Sequence, residues 1–205
     1  MFVKGSLFII AAPSGAGKTT LVNALVKALS DVSISVSYTT RKMRPQEQDG
    51  VDYHFVDLDK FKTMLKQGDF LEHAKVYGHF YGTSRLWVFD VLRQGLDVIL
   101  EIDWQGAKQI RTQFVETKSI FILPPSLEIL EARLQKRHAD NARIVKERMN
   151  EAKEQISHYK EFDYLVFNDK FEDALEDLKS IVRSQRLHWR RSATLRAATI
   201  ASLTS

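Results

Sequence analysis

The segment LFIIAAPSGAGKTTLVNALVKAL, at positions 7–29, constrains the fold more than any other part of the chain. Residues 7–12 are apolar or small, which is typical of a strand that is buried on both faces of a parallel sheet. A loop containing Gly15 and Gly17 follows, and after Lys18 the apolar residues recur at helical spacing. The order of strand, glycine loop and helix predicts a phosphate-binding element.

The physical reason for this prediction lies in the backbone of the loop and the helix. Gly15 and Gly17 can adopt backbone angles that are closed to other residues, so successive N–H groups can turn towards a phosphate. The helix N-terminus points at the same anion, Lys18 can reach the β- and γ-phosphates, and the Thr19 hydroxyl can ligate Mg²⁺. The strict pattern has glycine at position 12, where this chain has Ala12. A plain strand, turn and helix is therefore the alternative interpretation.

The composition predicts one soluble domain, or one core with insertions. Of the 205 residues 44% are hydrophobic, which can fill a sizeable core. The chain has no cysteine, which excludes disulfides and thiolate metal sites, and its six histidines show no metal-ligand spacing. No segment has the length of a signal peptide's apolar region or of a membrane span. We therefore expect a cytoplasmic protein without a membrane partner.

The net charge of +4 comes from the C-terminal part of the chain. From position 179 onward there are six basic residues and no acidic one, namely Lys179, Arg183, Arg186, Arg190, Arg191 and Arg196. Without these six, 24 basic residues remain against 26 acidic ones, a balance of −2. A solvated helix face or tail is expected, and not a nucleic-acid partner. The apolar residues Leu187, Trp189, Leu195 and Ile200 favour packing on the core or self-association, so a homo-oligomer is possible.

The order of predicted elements indicates an α/β fold with a parallel sheet flanked by helices. Buried strands are predicted at 98–103, 119–123 and 164–168, a further strand at 34–38, and helices at 58–67, at 105–115 and from 172 onward. A helix is also predicted to begin at Thr83 or Ser84. Segment 37–87, made of short polar and aromatic pieces, predicts an inserted subdomain. Segment 126–159 predicts two charged helices with a mobile connector at 138–141, which leaves 1–36, 88–125 and 160–205 for the core.

Ligands of parallel sheets collect at the carboxyl ends of the strands, where the glycine loop, Asp103 and Asn168 are predicted to lie. Asp103 could hold magnesium-bound waters or a substrate donor, or be an ordinary carboxylate at a strand end. The inserted segment concentrates forked and phenolic donors suited to a second, smaller phosphate, Arg41, Arg44, Tyr53 and Tyr81. Positive charges on the helical segment, Arg133, Arg137 and Arg148, could close over a polyphosphate.

These residues lie in motifs that resemble the guanylate kinases, a family of P-loop nucleoside monophosphate kinases, over almost the whole chain. The motifs are APSGAGKTT, SYTTRKMRPQEQDGVDYHF, FLEHAKVYGHFYGT, ILEIDWQGA and the helical segment with its three arginines. The resemblance implies a P-loop NTPase core, an inserted monophosphate-binding subdomain at 37–87 and a helical lid at 126–159. It implies the reaction of ATP and GMP to give ADP and GDP, with Mg²⁺ as cofactor.

The resemblance also assigns the site residues. The ATP side comprises Ala12, Pro13, Ser14, Gly15, Ala16, Gly17, Lys18, Thr19, Arg133, Asn168 and Asp169, with Thr19 as the magnesium ligand. The GMP side comprises Ser37, Arg41, Arg44, Tyr53, Glu72, Tyr81, Thr83 and Asp103. The catalytic groups are Lys18, Arg44, Arg137 and Arg148. Two departures stand out, Ala12 in the loop and His138 in the connector, where the family usually has glycine.

Two other functions are consistent with this kind of fold. Guanylate-kinase-like domains of scaffold proteins are binding modules without catalysis, but they usually lose residues of the phosphate loop, and Gly15, Gly17, Lys18 and Thr19 are all present here. A kinase for another phosphorylated metabolite is the second alternative. Ser37 and Glu72 stand against it, since they occupy positions where guanine recognition needs them.

Overall fold

The computed structural model describes residues 5–137 and 142–205. In chain order the strands are β1 (Leu7–Ala11), β2 (Val32–Ile34), β3 (Tyr38–Thr39), β4 (His54–Phe55), β5 (Phe70–Val76), β6 (His79–Ser84), β7 (Asp97–Glu101), β8 (Lys118–Leu123) and β9 (Tyr164–Phe167). The α-helices are α1 (Lys18–Ala28), α2 (Leu58–Gln67), α3 (Arg85–Arg93), α4 (Trp104–Gln113), α5 (Leu127–Arg137), α6 (Ala142–Ser157), α7 (Phe171–Leu187), α8 (Trp189–Leu195) and α9 (Ala197–Thr204).

A five-stranded parallel sheet in the order β2-β7-β1-β8-β9 forms the centre of the molecule. The β1 side chains alternate between its two faces. Phe8 and Ile10 pack in one apolar cluster with residues of α1 and α7, whereas Leu7 and Ile9 pack in another with residues of α3 and α4. All five β1 residues are buried, as expected for a parallel sheet covered on both faces. The predicted α/β architecture is confirmed.

The segment between α1 and α3 builds a second sheet, in the order β4-β3-β6-β5. Within it β5 and β6 form an antiparallel hairpin, and β3 pairs antiparallel with β6 and parallel with β4. Helix α2 covers this sheet through Phe61, whose ring stacks on Phe70 at 4.5 Å. Helix α3 begins after Ser84, as predicted, because the Ser84 hydroxyl caps it by accepting from the Trp87 N–H.

The predicted single strand at 34–38 is wrong. Strand β2 ends at Ile34 in the parallel sheet, and β3 begins at Tyr38 in the second sheet. The Ser35 N–H still donates to the Ile99 carbonyl of β7, but the Ser37 carbonyl accepts from the His54 N–H of the second sheet. The alternation of side chains therefore continues across the point where the chain changes sheets, and periodicity alone does not reveal the change.

Helices α5 and α6 pack on each other through Leu130, Leu134, Val145 and Ala152, all of them buried. The two helices that the sequence predicts for 126–159 are thus present. The connector predicted at 138–141, with the atypical His138, lies outside the described residues. In the part of the chain that is described, no helix has the length and apolar character needed to cross a membrane.

The basic C-terminal segment is more ordered than a solvated face. Asp97 is fully buried at the start of β7. One of its oxygens accepts from Arg191 Nη1 at 2.5 Å, and the other accepts from Arg186 Nε at 2.7 Å. Two of the six basic residues thus tie α7 and α8 to the central sheet. Apolar side chains of the same segment remain exposed, among them Trp189 at 68% and Leu203 at 79%, and self-association stays a prediction.

Candidate active site

A cleft of about 1320 Å³ opens between the parallel sheet, the second sheet and the helices α5 and α6. Most of the residues that the sequence predicts for the site line it. These are Ala12, Pro13, Ser14, Gly15, Gly17, Lys18, Thr19, Ser37, Arg41, Arg44, Tyr53, Glu72, Tyr81, Asp103, Arg133 and Arg148. Both predicted phosphate sites therefore face one cavity, in which Ser14 and Arg148 are in contact although they are 134 positions apart in sequence.

The loop between β1 and α1 has the geometry that the glycines predict. Gly15 and Gly17 have φ angles of +91° and +92°, in the left-handed region. The Ala16 N–H donates to the Pro13 carbonyl at 3.2 Å, which closes the turn. Among the described residues, no side chain caps the N-terminus of α1, where Gly17 is the capping residue. The first N–H groups of the helix are thus available to an anion, and its positive dipole end favours one.

Asn168 supports the loop from behind. Its side-chain amide is buried and donates to the Ala16 carbonyl at 2.7 Å. A Cβ atom at Gly17 would come within 2.5 Å of the same amide nitrogen, so glycine is required there for packing as well as for its backbone angles. The neighbouring Asp169 is exposed and lies outside the lining of the cleft, as does the buried Ala16.

A carboxylate faces the first turn of α1. Glu101, the last residue of β7, has its Oε2 atom 3.7 Å from Lys18 Nζ. The Thr19 hydroxyl donates to the same oxygen at 3.5 Å. An ammonium, a hydroxyl and a carboxylate therefore meet beside the loop. Oxygen donors of this kind suit Mg²⁺, so the donor set fits the metal that the sequence predicts.

Two acidic side chains lie at the other end of the cleft. Glu72 is 3% exposed, and the Thr83 hydroxyl donates to its Oε1 atom at 2.6 Å. The pKa of Glu72 is raised to about 7, chiefly by burial; the hydrogen bond from Thr83 opposes the shift, and the nearby charge of Asp103 adds to it. Asp103 caps α4, since its Oδ1 atom accepts from the Gly106 N–H at 3.0 Å.

A cluster of arginine and tyrosine side chains lines the side of the cleft formed by the second sheet. Arg41 makes a bidentate ion pair with Glu47, with distances of 2.9 and 2.7 Å. This pairing raises the pKa of Arg41 and lowers that of Glu47. The guanidinium also lies 5.3 Å from the centre of the Tyr53 ring, which packs edge-on against Tyr81. Arg44 is freer, with 45% of its side chain exposed, and can turn to a ligand.

The helices α5 and α6 place arginines over the glycine loop. Arg148 Nη1 donates to the Ser14 hydroxyl at 3.1 Å, and Arg133 Nη1 approaches the Gly15 carbonyl at 3.5 Å. The Arg148 guanidinium also lies over the ring of Tyr77, which belongs to the turn between β5 and β6. Arg137 is the last residue of α5, and its side chain lies outside the described part of the structure.

The comparisons with known proteins agree with this geometry. The family model described as guanylate kinase matches residues 4–185. The guanylate kinase of Hahella chejuensis is 58% identical over 184 residues, which make up 90% of this chain and 88% of that protein. That of Alcanivorax borkumensis is 57% identical over 200 residues, or 98% of this chain and 97% of that protein.

The chain belongs to the guanylate kinase family. The crystal structure of guanylate kinase from Anaplasma phagocytophilum superimposes with a TM-score of 0.78 at 33% identity, over 93% of this chain and 92% of that one. The resemblance read from the sequence motifs is thereby confirmed, together with the fold that it implies.

Within this guanylate kinase fold, three contacting side chains were absent from the predicted site. Glu101 was overlooked because the predicted strand ran on to position 103, whereas β7 ends at Glu101 and Asp103 caps the next helix. An acidic residue within an otherwise apolar run was the available signal. Tyr77 carries no such signal, since its partner Arg148 is near it only in the fold. Glu47 lies only six positions after Arg41, and its opposite charge was the available signal.

Proposed function

We propose that the chain transfers the γ-phosphoryl group of ATP to GMP, giving ADP and GDP. The observation that carries this proposal is that one cleft contains both a glycine loop at a helix N-terminus and a second pocket with buried carboxylates and an arginine-tyrosine cluster. The first suits a triphosphate, and the second suits a nucleotide with a single phosphate. The names of the relatives support the same reaction.

The proposed division of the chain follows from this reaction. Segments 1–36, 88–125 and 160–205 form the core, 37–87 binds GMP, and 126–159 is the lid. All strands of the second sheet fall in the GMP segment, and both α5 and α6 fall in the lid. Helix α3 begins at Arg85, slightly before the proposed boundary.

The donor nucleotide is proposed to bind through backbone N–H groups and a few side chains. The phosphates would lie on Ala12, Pro13, Ser14, Gly15, Ala16, Gly17, Lys18 and Thr19, with Arg133 above them. Asn168 and Asp169 would flank the adenine. Asn168 also has a structural part, because its amide already binds the loop at Ala16.

We propose that the protein recognises both the phosphate and the base of the acceptor nucleotide. Arg41, Arg44, Tyr53 and Tyr81 would hold its phosphate, while Ser37, Glu72, Thr83 and Asp103 would surround its base. Guanine presents N–H donors at N1 and N2, which a carboxylate can accept as a pair. Adenine has an acceptor at N1, which would face the same carboxylate, so AMP should be rejected. Donation from guanine favours the ionised form of Glu72 against the effect of its burial.

Magnesium is the proposed cofactor. In the described ranges 5–137 and 142–205, no group of three or more His, Asp or Glu side chains could hold a metal by itself. The Thr19 hydroxyl would be the direct protein ligand, and the Glu101 carboxylate would accept hydrogen bonds from metal-bound waters; ATP would supply the remaining ligands. When bound, the ion supplies charge neutralisation at the β- and γ-phosphate oxygens.

The protein's own part in the reaction is positioning and charge stabilisation. The attacking group is a phosphate oxygen of GMP that is already anionic at neutral pH, so no general base is required. Lys18, Arg44, Arg137 and Arg148 are the proposed catalytic groups, and losing one such arginine could cost about three orders of magnitude in rate. The helices over the loop would also exclude water, which otherwise competes as acceptor. Because the reaction uses the nucleotides of the cell interior, we place the chain in the cytoplasm.

A panel of nucleoside monophosphates tests the proposal. Purified protein with Mg-ATP should release ADP rapidly with GMP and far more slowly with AMP, CMP or UMP. A chain with Lys18→Ala serves as the matched control for contaminating kinases. Comparable turnover on AMP would reject the assigned base recognition, and the absence of ADP release with every acceptor would favour a binding module without catalysis.

A further inference from the structure

The backbone conformation at Gly106 does not require glycine. This residue lies in the first turn of α4, is buried, and has ordinary helical angles, since its φ is not among the positive values of the chain. Glycine inside a helix is less stable than alanine there. Its presence therefore needs another reason.

The reason is the position of Glu72. A Cβ atom at Gly106 would lie 2.3 Å from Glu72 Oε2 and 3.1 Å from Glu72 Cδ. The carboxylate thus rests directly on the bare Cα of the helix. The other carboxylate oxygen, Oε1, is fixed by the Thr83 hydroxyl at 2.6 Å. The side chain is confined between a helix surface and a hydrogen-bond donor.

A second contact holds the same helix against the strand that carries Glu72. The side-chain amide of Gln109, one turn further along α4, donates to the His73 carbonyl at 2.7 Å. Its oxygen accepts from the His73 N–H at 3.2 Å. Gln109 thus pairs with the backbone of β5 at the residue next to Glu72, as a neighbouring strand would. The distance between α4 and the carboxylate is set at two points.

We infer that Gly106 determines acceptor specificity by positioning the Glu72 carboxylate. This inference rests on the proposed function, in which Glu72 reads guanine; Gly106 itself acts only through Glu72. Any side chain at position 106 would push the carboxylate away from α4, and the open space on that side is the cleft, which Glu72 lines. The hydrogen bonds to the N1 and N2 donors of guanine would then be misaligned, whereas the donor site would be untouched.

The test is Gly106→Ala, assayed with GMP, AMP and ATP. The KM for GMP should rise at least tenfold, the preference for GMP over AMP should fall by a similar factor, and the KM for ATP should stay within twofold. The melting temperature should change little, because alanine favours the helix while the displaced carboxylate loses its hydrogen bond from Thr83. Lys108→Ala, on the exposed face of α4, is the matched control and should leave all these values unchanged.

A double-mutant cycle separates positioning from a general effect on the helix. Glu72→Asp shortens the side chain by one methylene and withdraws the carboxylate from position 106. In that background Gly106→Ala should change the KM for GMP less than twofold. The inference would be overturned if Gly106→Ala raised the KM for GMP tenfold in both backgrounds, or if it left the KM of the otherwise wild-type chain unchanged.

Two further measurements keep the test decisive. If Gly106→Ala does not fold, Gln109→Ala removes the pairing with His73 without adding an atom near Glu72, and should raise the KM for GMP about threefold; an unchanged KM would overturn the inference. A wild-type chain that binds GMP in calorimetry without phosphorylating it would refute the proposed function alone. In that case, the affinity of each variant for GMP, measured by calorimetry, would still test the role of Gly106.

Discussion

The Arg148 guanidinium lies over the Tyr77 ring, with its carbon 4.9 Å from the ring centre. Arg148 belongs to α6 and Tyr77 to the turn of the β5–β6 hairpin, so the contact joins the proposed lid to the proposed GMP-binding segment. The same guanidinium donates to Ser14 of the glycine loop. One arginine therefore contacts all three parts of the cleft.

Replacing the Tyr77 ring should slow phosphoryl transfer more than it weakens binding. Tyr77 has a φ angle of +51°, which asparagine adopts more readily than tyrosine. Tyr77→Asn therefore keeps the turn and removes the support of Arg148, and kcat should fall about tenfold, in line with a partly desolvated cation–π contact. Tyr77→Phe keeps the ring and should stay within about threefold of the wild type. Equal kcat values for the two variants would contradict the supporting role.

Glu72→Gln should alter acceptor choice without altering donor binding. The amide that replaces the carboxylate can accept only one of the two guanine donors, so we expect the preference for GMP over AMP to fall tenfold or more. The KM for ATP should be nearly unchanged, as measured by steady-state kinetics. Glu116→Gln, an exposed change, is the control. An equal loss of affinity for GMP and for ATP would place Glu72 outside the acceptor site.

The same variant should change how stability depends on pH. The pKa of Glu72 is raised to about 7 by burial, so the folded state holds this proton more tightly than the unfolded state, whose glutamate has its ordinary pKa of 4.5. The contribution of Glu72 to the free energy of unfolding is therefore lost as the pH rises from about 4.5 to 7.

Urea denaturation at several pH values measures this effect. Between pH 4.5 and pH 8, the free energy of unfolding of the wild type should fall by about 3 kcal/mol relative to that of Glu72→Gln, since each unit of pKa corresponds to about 1.4 kcal/mol. If the difference in the free energy of unfolding between the two proteins did not change with pH, burial would not have raised the pKa of Glu72, and the prediction would be wrong.

Asp97 should be important for stability and not for catalysis. It is fully buried and bound by Arg186 and Arg191, so Asp97→Ala leaves two guanidinium groups without their partner. Removing one member of such a buried network should lower the free energy of unfolding by about 3 kcal/mol or more. The exposed pair of Asp90 and Arg93 gives the control, because Asp90→Ala should cost less than about 1 kcal/mol. Similar losses in the two variants would contradict this assignment.

The sequence predicts what is local. The glycine loop and its flanking strand and helix follow from one continuous pattern, and the parallel sheet follows from the buried apolar runs. The change of sheet between Ile34 and Tyr38 could not be predicted, because the alternation of side chains continues through it. The end of β7 at Glu101 was missed for a similar reason. Apolar Ile102 follows it, so the pattern indicates a strand that continues to Asp103.

Contacts between residues that are distant in sequence cannot be predicted from local patterns. Asp97 and Arg191 are 94 residues apart, and the basic segment alone suggested a solvated face. Glu72 and Gly106 are 34 positions apart, and only the packing of α4 on β5 reveals why position 106 is glycine. The residues themselves predicted a second phosphate site in the inserted segment, whereas the residues around the base were predicted mainly through the family resemblance. The positions of all these side chains are known only from the fold.

A crystal structure with GMP and a non-hydrolysable ATP analogue tests the central claim most directly. The account predicts both nucleotides in the one cleft, with Lys18 on the phosphates of the analogue, the GMP phosphate on Arg41 and Arg44, and the guanine N1 and N2 donors on Glu72. An empty acceptor pocket, or Lys18 turned away from the phosphates, would contradict it.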